Sequence, residues 1–189
     1  MEVKGITIVA SNTTDDLKQF RCGVPAMDCF IHDGLRKSLI HHFCQLYKVF
    51  MDGEIVALFA LSFDSINLDE DDKEEISSGL SSANTPDITL DYVATFYSKR
   101  RYPALDIAYL AVREDMRKKH IGSFLISQIA KKATEQQFAG CQFLSVEAYK
   151  VQGYSAVDFY YKCGFAPNEH PNPNKDTLRM FYTLYPKQQ

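Results

Sequence analysis

Tyr109-Leu110-Ala111-Val112-Arg113-Glu114-Asp115-Met116-Arg117-Lys118-Lys119-His120-Ile121-Gly122-Ser123 is the stretch that decides the fold. An apolar run over 105–112 reads as a central strand and gives way to a short basic turn. An amphipathic helical pattern over 123–138 begins where that turn ends. Strand, turn and helix start, in this order, present free backbone N–H groups and the positive end of a helix dipole to an anion. Arg117, Lys118 and Lys119 place three cations in the turn, which narrows the anion to a pyrophosphate with further charge beyond it. A P-loop is excluded, because GxxxxGK[ST] is absent, and so is the dinucleotide fingerprint GxGxxG. Taken alone, the seven residues 117–123 fit a solvated basic loop equally well.

Outward from this stretch the pattern alternates strands and helices. Downstream, Gly140 is placed as the residue that ends the long helix, 142–148 as a strand, 155–162 as a helix stopped by Gly164, and 177–185 as the last strand. Upstream, 3–10 reads as a first strand, and Thr13, Thr14, Asp15 and Asp16 offer capping groups for a short helix through Phe20. Pro25 fits the first position of an amphipathic helix over 25–42, with Arg36, Lys37 and His41 turned outward. Strands over 45–51 and 54–62 flank Asp52-Gly53, a strong two-residue hairpin signal. Residues 64–91 lose periodicity and read as a surface excursion with a short helix over 72–80; residues 92–97 read as a short strand or helix. The sum is a single α/β domain over 1–189, with an acidic insertion at about 64–91. Its mixed central sheet has six to seven strands with helices on both faces.

Composition excludes several classes. With 46% hydrophobic and 13% aromatic residues the chain is an ordinary globular protein, and no apolar run reaches the roughly 18 residues that cross a bilayer. The N-terminus has no signal-peptide pattern. Five cysteines, odd in number and without CxxC spacing, indicate neither a disulfide framework nor a zinc site, so no metal is expected and the cytoplasm is the expected compartment. The net charge of −3 hides an asymmetry: residues 64–91 hold nine acids and one base, leaving 15 acids against 20 bases elsewhere. A basic body leaves a polyanionic ligand or a nucleic-acid partner open.

The turn resembles motif A of the GNAT acetyltransferase superfamily, [Q/R]-x-x-G-x-[G/A], with Arg117 first and Gly122 last. His120 stands where the middle glycine is expected, and histidine is among the few other residues that tolerate positive φ. A second block, Ala156-Val157-Asp158-Phe159-Tyr160-Tyr161-Lys162-Cys163-Gly164-Phe165, resembles the A-x-x-F-Y-x-[K/R]-x-G-F segment of the same superfamily. The resemblance implies a GNAT-like fold with splayed central strands and acetyl-coenzyme A as cofactor. It implies that Leu110, Ala111 and Val112 bind the pantetheine arm, and that Arg117, Lys118, Lys119, His120, Ile121, Gly122 and Ser123 hold the pyrophosphate. It also implies that Tyr160 protonates the departing thiolate, which needs a donor when an amine attacks a thioester. Tyr161 points about 100° away on a helix and is the poorer candidate. Direct acetyl transfer to a primary amine is therefore the expected activity.

The segment Phe20-Arg21-Cys22-Gly23-Val24-Pro25-Ala26-Met27-Asp28-Cys29-Phe30-Ile31 resembles the opening of GNAT toxins of bacterial toxin–antitoxin modules, as does Arg101-Tyr102-Pro103. That likeness implies an aminoacyl group on charged tRNA as an alternative acceptor. A non-catalytic coenzyme A-binding or partner-binding module is a further alternative. Among other candidates, Glu147 is placed as a base for the incoming ammonium, with a turn-facing carboxylate as its ordinary reading. Asp106, in an apolar strand, is expected to form a cross-strand salt bridge. His32, His41, His42 and His170 are expected at the surface, and Cys163 as core filler. A homodimer is compatible with the chain.

Overall fold

In the computed structural model, residues 5–81, 90–168 and 175–184 are described. The first strand β1 (Ile6–Ser11) pairs antiparallel with β2 (Gln45–Met51), which turns at Asp52-Gly53 into β3 (Glu54–Ile66). Both turn residues have positive φ, the backbone that a two-residue hairpin demands. β3 runs four residues past the expected end, so Asp64 belongs to the sheet and not to the acidic excursion. The excursion becomes α3 (Glu70–Ser81) and α4 (Leu90–Ser98), with 82–89 outside the described residues. β4 (Tyr102–Val112) pairs antiparallel with β3, and α5 (Ile121–Glu135) follows the basic turn. Then come β5 (Phe143–Val151), β6 (Tyr154–Ser155), α6 (Val157–Lys162), β7 (Ala166–Pro167) and β8 (Thr177–Thr183). The sheet order is β1-β2-β3-β4-β5-β8-β7, with β6 attached to β5. The described residues form eight strands, one or two more than expected, because the two-residue β6 and β7 are too short to show a pattern in the sequence.

Two helices differ in detail from their expected form. The predicted helix 25–42 is α1 (Pro25–Cys29), a wide π turn (Phe30–Gly34) and α2 (Leu35–Ile40). Gly34 is required there, since a Cβ would lie 2.6 Å from the Phe30 ring. α5 stops at Glu135, not at Gly140. The Gln136 side chain accepts hydrogen bonds from the Phe138 amide at 2.9 Å and the Ala139 amide at 3.0 Å, and donates back to the Ala139 carbonyl, which ends the helix without glycine. The expected capped helix through Phe20 is a single 3-10 turn (Asp15–Leu17).

Three apolar clusters hold the layers together. One face of the sheet is covered by α5 and α6, where Ile121, Leu125, Ile126 and Ile129 meet Val49, Ile107, Leu144 and Met180. On the other face the 17–39 segment packs Leu17, Ile31 and Leu35 on Leu46, Leu58 and Ala111. Beside it, α4 sets Phe96 on Tyr102, Phe143 and Phe181. Burial of aliphatic and aromatic side chains at roughly 1.5–3 kcal/mol each drives this arrangement. No described helix is long and apolar enough to cross a membrane.

Two features of the sheet position the site. β4 and β5 are parallel, yet only Ala104–Phe143, Leu105–Leu144 and Asp106–Ser145 are paired; beyond Asp106 the strands separate into a fork. In β4 the register against β3 shifts so that Tyr109 faces Ala60 while Ile107 faces Leu61, leaving Ala108 as an extra, bulged residue. The bulge reverses the alternation of side chains. Ile107, Leu110 and Val112 join the α5 face, and Ala111 joins the opposite one, where Tyr109 stacks on Phe30.

Candidate active site

A cavity of about 810 Å³ occupies the fork. Its walls come from both faces of the sheet. Ile107, Leu110, Val112, Met116, Phe159 and Tyr160 belong to the α5 side, and Cys22, Val24, Met27 and Tyr149 to the other. The cavity therefore passes through the sheet where β4 and β5 part.

The basic turn forms one end of the cavity. His120 is the N-cap of α5 with φ 60° and ψ 10°, a left-handed conformation, so it carries the backbone geometry for which glycine is the usual residue. Lys118 also has φ 60°. The His120 carbonyl accepts from the Phe124 amide at 3.0 Å and the Ser123 hydroxyl at 3.0 Å. Among the described residues, the amides of 118–123 have no acceptor, and His120 gives no side-chain cap. A helix start left open in this way suits an anionic oxygen. Gly122 has a second role: a Cβ there would lie 3.1 Å from the Phe159 ring, so glycine lets α6 approach α5. Arg117 reaches across the fork, its guanidinium 5.9 Å from the centre of the Tyr154 ring. Lys119 contacts the Met116 sulfur at 3.3 Å.

Tyr160 lies on α6 with its ring packed edge-on to Phe159 and Phe165, at centroid distances of 5.1 and 5.2 Å. It is buried and lines the cavity. Burial, followed by the charges of Tyr154, Cys163 and Asp106, pushes its hydroxyl well above the ordinary tyrosine value. It therefore keeps its proton throughout the working range. Tyr161 is exposed on the other side of the helix. Cys22 and Cys163 line the cavity, but burial pushes the Cys22 thiol up to about 11 and raises Cys163 too, so neither is disposed to be a thiolate.

Glu147 also lines the cavity, and its carboxylate is engaged: Thr177 Oγ1 donates to it at 2.9 Å and Arg179 Nη1 at 3.2 Å. Asp106, at the last rung before the fork, differs from its expected salt bridge. Its oxygens accept from Ser62 Oγ and Ser145 Oγ, each at 3.3 Å. Arg179 Nη2 and Ser145 Oγ are instead both 2.5 Å from Asp64 Oδ2. Burial first, and the Asp64 charge second, push the Asp106 carboxyl up to about 6. Asp64 is held below its ordinary value: burial opposes this, but Ser145, the Ser65 amide and Arg179 outweigh it. One carboxyl is thus fixed as an anion, and its neighbour is poised to exchange a proton near neutrality. Sequence reading missed Asp64, Ser145 and Arg179; the lone carboxylate in the apolar 105–112 run was the single available signal.

The segment 20–31 is seated beside the cavity by Asp28. Its carboxylate accepts from the Cys22 amide at 2.7 Å and the Gly23 amide at 3.1 Å. Gly23 has φ 76°, and a Cβ there would meet the Glu114 carboxylate at 2.8 Å. His32 is not free at the surface, since its Nε2 lies 2.5 Å from Arg21 Nη1 and 3.1 Å from the Phe20 carbonyl. His41 and His42 are exposed, and His170 lies outside the described residues. Among the described residues no group of three His, Cys, Asp or Glu is placed to hold a metal ion.

Residues 86–167, which contain both sides of the fork, the basic turn and Tyr160, match the family model described as "Acetyltransferase (GNAT) domain". Over that stretch the chain is similar to a GNAT acetyltransferase domain. Solved structures extend the likeness of fold over nearly the whole chain. A tyrosine-to-phenylalanine mutant of KacT is 17% identical over 96% of this chain and 96% of its own, with a TM-score of 0.66. AtaTR bound with AcCoA is 18% identical over 96% and 95%, with a TM-score of 0.63. AtaT complexed with acetyl-methionyl-tRNAfMet is 18% identical over 94% of each chain, with a TM-score of 0.62. No curated protein matches the sequence. The match to the family model begins at residue 86, whereas the fold likeness also takes in the hairpin and the 17–40 segment.

Proposed function

We propose that this chain transfers an acetyl group from acetyl-coenzyme A directly to a primary amine, with the two substrates meeting through the fork. The observation that carries this reading is one cavity that has unpaired amides at its turn end and a protonated, buried Tyr160 in its wall. The amides of Lys118, Lys119, His120, Ile121, Gly122 and Ser123, with Arg117 beside them, hold the pyrophosphate, and the β4 backbone at Leu110, Ala111 and Val112 faces the pantetheine arm. When bound, acetyl-coenzyme A supplies the activated thioester. The C–N bond forms as the C–S bond breaks, and Tyr160 gives its proton to the sulfur. Glu147, the carboxylate that lines the cavity, takes the proton that the acceptor ammonium must lose, and Arg179 and Thr177 hold it in place. The newly acylated nitrogen sheds its second proton, which returns to the Tyr160 oxygen, so proximity and three proton transfers suffice for this chemistry. The test is release of coenzyme A thiol in the presence of an amine. Release with the native chain and its loss in Tyr160→Phe support the reading. Stabilisation by acetyl-coenzyme A without transfer to any amine would instead identify a coenzyme A-binding module.

A second reading, aminoacyl-tRNA as acceptor, is favoured by the Asp28-seated segment beside the cavity and by the fold shared with AtaT, described in complex with acetyl-methionyl-tRNAfMet. The exposed bases Arg36, Lys37, Lys99, Arg100 and Arg101 are available to a phosphate backbone. Growth arrest on expression, relieved by Tyr160→Phe and accompanied by acetylated charged tRNA, is the expected result. Absence of both removes this reading.

A further inference from the structure

On the sheet face opposite α5, a chain of polar groups runs across four strands and ends at the cavity. Ser62 and Asp64 come from β3, Asp106 from β4, Ser145 and Glu147 from β5, and Thr177 and Arg179 from β8. The inner end is the firmer one: Ser145 is fully buried, whereas the Glu147 side chain is 46% exposed. Asp64 Oδ1 accepts from the Ser65 amide at 2.7 Å, and Asp64 Oδ2 accepts from Ser145 Oγ and Arg179 Nη2. Arg179 gives its other terminal nitrogen to Glu147 Oε1, and Thr177 Oγ1 donates to Glu147 Oε2. Ala104 stands opposite Asp64 on β4, and its small side chain leaves the carboxylate room to reach past β4 to β5 and β8.

Arg179 and Glu147 face each other across β8 and β5, joined by a single hydrogen bond. A partly exposed pair of this kind barely offsets the entropy of ordering two long side chains. Asp64 changes that balance. With each terminal nitrogen committed to a different carboxylate, the planar guanidinium has one orientation, and the Glu147 carboxylate takes its place from it. Asp64 also meets a charge requirement. A guanidinium without a second carboxylate would set its whole charge against Glu147 and make that group a poorer proton acceptor. Asp64, held below the ordinary carboxylate value by Ser145, the Ser65 amide and Arg179 against the opposing effect of burial, stays an anion and offsets that charge. Each Glu147 oxygen accepts one of these bonds, and a carboxylate oxygen has a second lone pair to offer an ammonium.

We propose that Asp64 is a positioning residue for acetyl transfer: acting through Arg179, it orients the Glu147 carboxylate at the cavity wall and offsets the guanidinium charge beside it. The inference rests on the reading of Glu147 as the base. Asp64 does not line the cavity, so its effect falls on the proton transfer and not on acetyl-coenzyme A, whose proposed contacts are at the basic turn and along β4.

The test compares Asp64→Asn, Asp64→Glu, Arg179→Lys and Glu147→Gln with the native chain. Coenzyme A thiol release is followed with methionine methyl ester and with bulk charged tRNA as probe amines, and isothermal titration of acetyl-coenzyme A reports that each variant is folded. Asp64→Asn keeps the shape and loses the charge. Its kcat is expected to fall about 10–100-fold, the scale that a misplaced reacting group produces, with KM for the amine and Kd for acetyl-coenzyme A unchanged. Asp64→Glu restores the anion and should recover most of that loss, which a packing role alone would not do. Arg179→Lys keeps a cation but cannot span two carboxylates with one nitrogen, so its kcat should fall by a similar factor even if Asp64→Asn does not fold. Native kcat in Asp64→Asn or in Arg179→Lys, a loss carried by KM alone, or Asp64→Glu as slow as Asp64→Asn would each overturn the proposal while a slow Glu147→Gln leaves the base in place. Native kcat in Glu147→Gln would remove the base and this inference together, and leave the acetyltransferase reading intact. No thiol release by the native chain with either probe, with acetyl-coenzyme A bound, would overturn all three.

Discussion

At the scale of single residues, Tyr160, the proposed acid, and Asp106 are two groups whose proton burial holds more tightly. Tyr160→Phe removes a buried donor without changing the packing on Phe159 and Phe165, so kcat should fall about 10²–10⁴-fold while acetyl-coenzyme A affinity is retained; isothermal titration beside a thiol-release assay separates the two. Asp106, pushed up to about 6, holds its proton more tightly folded than unfolded. Its contribution to stability is therefore complete below its ordinary value near 3.8 and is lost as pH rises through about 6, the opposite of Asp64, whose contribution is lost on acidification. Asp106→Asn should flatten the part of the stability profile between about pH 4 and 6, read by thermal melts. The basic turn and Tyr160 were legible in the sequence because each sits in a contiguous motif. The roles of Asp64, Ser145 and Arg179 were not, since they meet only through the pairing of four strands.

At the scale of elements, the bulge in β4 and the Asp28 seat do most to shape the cavity. In the 105–112 run nearly every residue is apolar, so alternation could not reveal an extra residue, and the parity of Tyr109 had to come from the register. The hairpin at Asp52-Gly53 was legible because its turn chemistry is local. The end of α5 was misplaced because a side chain, Gln136, closes the helix, where the sequence offered a glycine four residues on. Asp28 joins α1 to the amides of Cys22 and Gly23, and Cys22 is buried against the cavity. Asp28→Ala should cost about 2 kcal/mol of stability, the scale of losing hydrogen bonds to a charged group, measured by denaturant unfolding. It should weaken acceptor use more than acetyl-coenzyme A binding, because the segment it anchors lines the side of the cavity away from Tyr160.

At the scale of the whole molecule, two half-sheets meet at three residue pairs, and the cavity lies where pairing stops. Acetyl-coenzyme A binding the folded chain alone should stabilise it by about 2.7 kcal/mol at a hundredfold excess over Kd, and a melting curve followed against ligand concentration checks this. The order of elements and the mixed sheet were legible from patterns of 2.0 and 3.6 residues; the number of strands was not, because two-residue strands exist only as partners of longer ones. The fork itself has a mechanical consequence. The two leaves share only a short paired spine, and among the described residues the β4 edge from Ile107 to Val112 that faces β5 has no strand paired to it. A linear ligand threaded along that edge serves as the absent rung, so the amides there should slow in hydrogen exchange when it binds, and the molecule should tighten as one body from a contact made along a single strand.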